Sequence, residues 1–233
     1  MKNLNFTLLF SLFTISLLTS CDDKGKYVMH EGTICYSYWT FSFGYMYDSL
    51  PEVDTLTFRS VNNWVGHDDR HVYFKDKLAE GADPATLEVL HYPLFRDHND
   101  YYYKGVAMQV EDTENLKFLK KYEDNFWATD GRYAYYDTLR IEADLETFSV
   151  EDWHWAKDKY HVYYFGKILE EADPATYKPL PNSLYAKDKS HVWCGSTLMK
   201  DVDYETFSVD KNGKASDKYG TFYYEDREEE REE

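Results

Sequence analysis

Hydrophobic and polar positions alternate over short runs along most of this chain, and no amphipathic stretch keeps a helical period for three turns. Trp39, Phe41, Phe43, Tyr45 and Tyr47 share one alternation phase, which predicts a strand or hairpin between Thr33 and Tyr47. The run His161-Val162-Tyr163-Tyr164-Phe165 is short and rich in β-formers, and Gly166-Lys167 interrupts it, so it reads as one strand of a hairpin. The exception to the alternation is the mostly apolar segment Leu4 to Leu18 behind the single charge of Lys2. That is the layout of a secretory signal peptide, too short and too broken by Ser and Thr for a membrane span.

The strand-like runs recur. Asp68, Asp97, Asp130, Asp158, Asp188 and Asp217 follow one another at intervals of 29, 33, 28, 30 and 29 residues. Five residues after each stands an aromatic: Tyr73, Tyr102, Tyr135, Tyr163, Trp193 or Phe222. Two residues before each the side chain is small, at Gly66, Ala128, Ala156, Ala186 and Ala215, with Phe95 the exception. A second series, Asp54, Asp83, Asp112, Asp144, Asp173 and Asp203, runs in step with the first. Three residues later comes Thr57, Thr86, Asn115, Thr147, Thr176 or Thr206, and then always an apolar residue. Two periodic series in register define a repeat of about thirty residues, the signature of an array whose units bury a face only by stacking.

Each unit has a physical reading. Asp158-Lys159-Tyr160 is a turn entry in which the Asp side chain bonds its own downstream backbone. Asp173-Pro174-Ala175-Thr176 reads as the capped start of a single helical turn. The constant aromatic, Tyr163 and its equivalents, is the candidate for the shared core, at about 2–3 kcal/mol for each ring buried. The expected fold is all-β: tandem β-hairpin repeats in an open or solenoid-like array, with a closed propeller-like ring as the alternative. Residues 1–20 form the signal peptide and 21–53 the N-terminus with atypical capping strands. Residues 54–224 form the repeat domain and 225–233 a charged, solvated tail. The extra residues of the longest interval, Lys120 to Asn125, read as a polar loop insertion.

The copies Trp155-Ala156-Lys157-Asp158-Lys159-Tyr160-His161-Val162-Tyr163-Tyr164 and Tyr185-Ala186-Lys187-Asp188-Lys189-Ser190-His191-Val192-Trp193 resemble the DKNYY-type repeat of bacterial envelope proteins. Ala82-Asp83-Pro84-Ala85-Thr86 and Ala172-Asp173-Pro174-Ala175-Thr176 match its second signature. The likeness spans about residues 54–224, and the copies at Asp97 and Asp130 are degenerate. It implies an architecture and carries no activity with it. At the other end, Leu18-Thr19-Ser20-Cys21 resembles the lipobox of bacterial lipoproteins, which implies cleavage before Cys21 and lipidation of that residue. Two lipid signals already give durable anchoring. Asp22 and Asp23 resemble lipoprotein surface-export tags. Together these imply a lipid-anchored place in the bacterial cell envelope, at the outer membrane and facing its surface, or at the inner membrane where an Asp at this position acts as the retention signal of enteric bacteria.

Composition sharpens the picture in two ways. Asp plus Glu number 43 against 26 Lys plus Arg, a net charge of −17 that becomes −18 when residues 1–20 and with them Lys2 are removed. That excludes a nucleic-acid partner as the default, because phosphate binding needs clustered cations. Aromatics at 18% exclude a disordered chain. Candidate chemistry is thin. His71, His161 and His191 share a repeat phase, and His67 with Asp68, Asp69 and His71 is the densest potential ligand group, but neither has metal-site spacing. The repeated Asp residues lack the loop of a calcium motif. No nucleophile elbow, phosphate loop or dinucleotide fingerprint is present, so neither an enzyme nor a cofactor is expected. Cys35 and Cys194 lie near opposite ends of the array and would pair only if it closed on itself. The functional expectation is a membrane-anchored, non-enzymatic lipoprotein with a protein-binding or envelope-interaction role. The alternatives are a glycan-binding, nutrient-capture lipoprotein and a structural spacer or cognate inhibitor of a secreted effector.

Overall fold

A computed structural model describes residues 25–228. The signal peptide 1–20, Cys21, the Asp22-Asp23 tag and the last residues of the tail, 229–233, lie outside the described residues. Seven antiparallel sheets follow one another along the chain, with strands in sequence order within each and no helix among the described residues. The first sheet has three strands, Lys26–His30, Thr33–Thr40 and Gly44–Ser49. The other six have four strands each, and these are the repeat units. In the fifth sheet, for example, the strands are Ser149–Val150, Trp155–Lys157, Val162–Tyr164 and Lys167–Ile168.

The two middle strands explain the sequence pattern. The constant aromatic lies directly across from the small position: Gly66 faces Tyr73, Ala128 faces Tyr135, Ala156 faces Tyr163, Ala186 faces Trp193 and Ala215 faces Phe222. A small side chain leaves room for the ring above it. Phe95 departs from the rule because it stacks flat on Tyr102, centroids 5.1 Å apart and planes within 5°. Each pair turns toward the preceding sheet, while the alternate residues turn toward the next. Thus Ala156 and Tyr163 share a core with Trp127, Ala134, Tyr136 and Ile141 of the fourth sheet. Trp155 and Val162 share one with Tyr177, Ala186 and Trp193 of the sixth. Each inner sheet is therefore buried on both faces by its neighbours, as strand alternation requires.

Six such cores join consecutive sheets, and among the described residues none joins the first sheet to the last. The array is open. Cys35 of the first sheet and Cys194 of the sixth are both buried free thiols, Cys35 beside Ser49 and Cys194 in the core between the sixth and seventh sheets, so the pairing that a ring would have allowed is not made. Burial pushes the Cys194 thiol up to about 11. Neither cysteine is expected to react with a thiol reagent at neutral pH until the protein unfolds; fast labelling of the native protein at Cys35 or Cys194 would contradict this packing.

The repeat Asp is the clamp of each unit. Asp158 is buried, and its Oδ1 accepts the amides of Tyr160 and His161 at 2.8 and 2.7 Å. Its Oδ2 accepts the amide of Asp144 at 2.9 Å and the Tyr163 hydroxyl at 2.8 Å. The same arrangement recurs at Asp68, Asp97 and Asp130. Trp193 and Phe222 have no hydroxyl to give. Arg227 takes that place at Asp217, forking onto both carboxylate oxygens. The two Asp series of the sequence are thus the two ends of one hydrogen bond. The second Asp closes only a single turn, accepting Ala175 N at Asp173 Oδ1, and no helix follows.

Two segments differ from the sequence reading. Lys120 to Asn125 is no loop: Lys117–Tyr122 and Asn125–Thr129 form a long hairpin with a bulge between Phe118 and Lys120. Phe118 packs edge-on against Phe126, an anchor hidden among lysines. The charged stretch after Glu225 also begins inside the fold, because Asp226–Arg227 is the last strand of the seventh sheet and Arg227 holds Asp217.

Candidate functional site

The residues that sequence chemistry singled out are occupied by the scaffold. His71, His161 and His191 sit one per unit, each with Nδ1 3.4–3.9 Å from its own clamp carboxylate. His67 bonds the carbonyl of Asp68 through Nδ1. Among the described residues no three His, Cys, Asp or Glu side chains gather as a metal site would need. Burial raises the Asp68 carboxyl, but the amides of Asp54, Arg70 and His71 outweigh it and hold the group at about 2. Asp130, Asp158 and Asp188 are lowered by the same balance. Burial, then the Asp158 hydrogen bond, drives the Tyr163 phenol well above its ordinary range. At Asp68, Asp130 and Asp158 the carboxylate oxygens are already engaged by three backbone amides and a tyrosine hydroxyl.

The sign of the acid response follows. Folded-state values below the unfolded value near 3.9 contribute stability that is complete above about pH 4 and fades as pH falls through them. Denaturant midpoints are expected to hold from about pH 7 to 5 and to fall steeply below about pH 4. A midpoint unchanged down to about pH 2 would show that the clamps are not ionised hubs.

What remains free lies at the tips of the first hairpin in each unit. Short side chains shape these tips: Asn62 Oδ1 accepts the amides of Trp64 and Val65, Asp152 Oδ1 those of His154 and Trp155, and Asp210 Oδ1 those of Asn212 and Lys214. Stacking of the units sets successive tips side by side. Trp64 meets Tyr92 edge-on with centroids 5.4 Å apart, Lys121 Nζ lies 2.8 Å from His91 Nε2, and Tyr122 stacks on Trp153 at 4.5 Å. The tips form a continuous ridge with aromatic rings at intervals.

Clefts open between neighbouring tips. One of about 590 Å³ is lined by Tyr36, Asn62, Asn63, Trp64, Lys75 and Tyr92. Lys75 Nζ lies 3.4 Å from the Tyr92 hydroxyl. A second, of about 630 Å³, runs from Glu151–His154 to Pro179–Leu184. A third, of about 510 Å³, lies between Asn182–Tyr185 and Asn212–Lys214. In the second, His154 is buried with neither ring nitrogen hydrogen-bonded, Nδ1 lying 3.8 Å from Asp152 Oδ1, and burial lowers its pKa. Sequence reasoning missed this ridge because the tips do not share a residue type; only their position in the unit repeats. By contrast most tryptophans of the repeat units, candidates for stacking on a sugar, are core: Trp127, Trp155 and Trp193 are buried, while Trp153 is half-buried.

The architecture matches a sequence family. The model of the DKNYY family fits residues 19–106 and again 106–197. The chain belongs to the DKNYY family. No curated protein and no solved structure matches it. In structural terms the DK of the DKNYY repeat is the clamp Asp followed by a Lys that pairs with the other Asp of its unit: Lys159 with Asp144 at 2.7 Å, Lys189 with Asp173 at 2.8 Å and Lys218 with Asp203 at 2.6 Å. These pairs are exposed, so each contributes little on its own. Of the two closing aromatics, Tyr163 packs toward the preceding sheet and Tyr164 toward the next.

Proposed function

We propose that the protein is a lipid-anchored, non-enzymatic lipoprotein of the bacterial cell envelope that binds an extended protein partner along its stacked units. The observation that carries this is the ridge of hairpin tips, with a cleft repeated between neighbouring units. Stacked repeats form long binding faces of this kind. Charge adds a preference for a basic partner. Glu123, Glu151 and Asp210 are exposed in the hairpin tips themselves. Such a surface gives association that weakens with salt. Anchoring through Cys21 at the outer membrane, with Asp22 and Asp23 directing surface export, belongs to the same reading.

Photo-crosslinkers placed at Asn63, Tyr122 and Asn182 in living cells are expected to give one discrete adduct. It should weaken with salt and with Glu123→Lys and Glu151→Lys together. Absence of any adduct along the ridge would end the protein-partner reading. A second reading is supported by the Trp64–Tyr92 cleft, where aromatic rings flank amides and a lysine as in a glycan site. Quenching of Trp64 fluorescence by an oligosaccharide, lost in Trp64→Ala, would favour it over a protein partner.

A further inference from the structure

The first sheet breaks a rule that end caps normally obey. A terminal unit of a stacked array keeps its outer face polar, because nothing stacks on it. Here the inner face, with Ile34, Tyr36, Tyr38 and Tyr27, packs on Phe58, Tyr73 and Leu78 of the second sheet. The outer face carries Trp39 beside its cross-strand partner Tyr45, and then Tyr47. Beyond them, at the turn, Phe41 is 93% and Phe43 81% exposed. Two bare phenylalanines at a hairpin tip, backed by a tryptophan and two tyrosines, form an apolar surface without a cover among the described residues.

The register says what lies next to it. Lys26 pairs with Ser37, so the chain enters the first sheet at the end where the Phe41–Phe43 turn projects. Phe41 is four residues beyond Ser37, about 14 Å along the strand. Cys21 is five residues before Lys26, which spans at most about 17 Å of extended chain. A lipid on Cys21 therefore reaches the level of the aromatic tip with little slack. The order of residues along the hairpin also matches a bilayer boundary: phenylalanine at the extremity, and tryptophan and tyrosine behind it, where amphipathic rings favour the headgroup level.

We infer that the Trp39–Tyr45 hairpin tip is a second membrane contact, dipping into the bilayer interface beside the lipidated N-terminus. This rests on the lipidation of Cys21 in the proposed function. The tether and the tip act as two attachment points at one end of the array. They hold the first sheet at the membrane and direct the remaining units outward, ridge included.

The test uses full-length acylated protein in phosphatidylcholine vesicles, with an environment-sensitive fluorophore on Ser42→Cys and, as a control, on Ala175→Cys. Both positions are exposed, while Cys35 and Cys194 are buried. The expected result is a blue-shifted Ser42 probe quenched by nitroxide-labelled lipid, a control probe in water, and loss of the shift in Phe41→Ser/Phe43→Ser. In the non-acylated Cys21→Ser chain, partition into the same vesicles is expected to fall about tenfold with each phenylalanine removed. An N-terminal mass without acyl chains overturns the anchor and removes the tether on which the docking rests. Confirmed acylation with the Ser42 probe still in water overturns the docking alone. A shift that grows with protein concentration in the absence of vesicles assigns the face to a second copy and overturns it as well.

Discussion

Asp158→Ala lowers the stability of the array by about 4 kcal/mol at neutral pH, the largest single effect expected of any side chain outside the cores. The substitution strands the amides of Asp144, Tyr160 and His161 and the hydroxyl of Tyr163, all of which the carboxylate now receives. Each buried donor left unpaired costs about 1–3 kcal/mol, and water at the exposed Tyr160 turn recovers part of it. The loss should depend on pH. It is complete above about pH 4 and shrinks below, because the wild-type clamp protonates there and gives up the same bonds. Asp158→Asn should fall between the two, since one carbonyl oxygen still serves the turn while the amide group faces two donors. Denaturant unfolding of the three proteins at several pH values checks this. A loss below about 1 kcal/mol, or one that does not change with pH, would remove the clamp from the account of stability.

Trp127→Ala is expected to cost about 3–5 kcal/mol, the range for a large buried aromatic removed from a packed core. Trp127 fills the core between the fourth and fifth sheets and donates Nε1–H to the carbonyl of Trp153 at 3.1 Å, so it also holds a neighbouring hairpin tip. The consequence is not only a lower midpoint. Each core joins only two sheets, so a weakened junction uncouples the units on either side of it. Hydrogen exchange in this variant should rise most at Ala134, Tyr136 and Tyr163, and least at Val72 and Val192. Uniform loss of protection along the chain would show that the array unfolds as one unit and that the junctions are not separable.

Much of this fold was legible because stacking imposes one solution on every unit. The constant ring, the small residue opposite it and both Asp series are sequence-visible, since each recurs at a fixed place in the pattern. What was not legible is how those positions meet. Asp144 and Asp158 are 14 residues apart, and nothing in a period shows that one donates its amide to the other. The alternation of Trp39 to Tyr47 predicted a hairpin, and the hairpin is there. Alternation marks a shared face, however, without saying whether it meets the array or the solvent. Lys120–Asn125 misled for a related reason: its charges describe an exposed hairpin arm as well as they describe a loop, and only Phe118 on Phe126 distinguishes the two. The tip ridge was invisible because it is made by the placement of unlike residues from different units.

The clamp has one further consequence. Its carboxylate bonds the two ends of a hairpin, the amide before the first strand and the turn after the second, and touches nothing between them. In the fourth sheet that interval lengthens to 18 residues from the usual 14, and Asp130 still receives Asp112. A hairpin held only at its base can change length at the tip without disturbing the stack. The turn at Glu123-Asp124 is therefore a natural insertion point, where evolution or an engineer can graft a new arm while the cores on either side stay as they are.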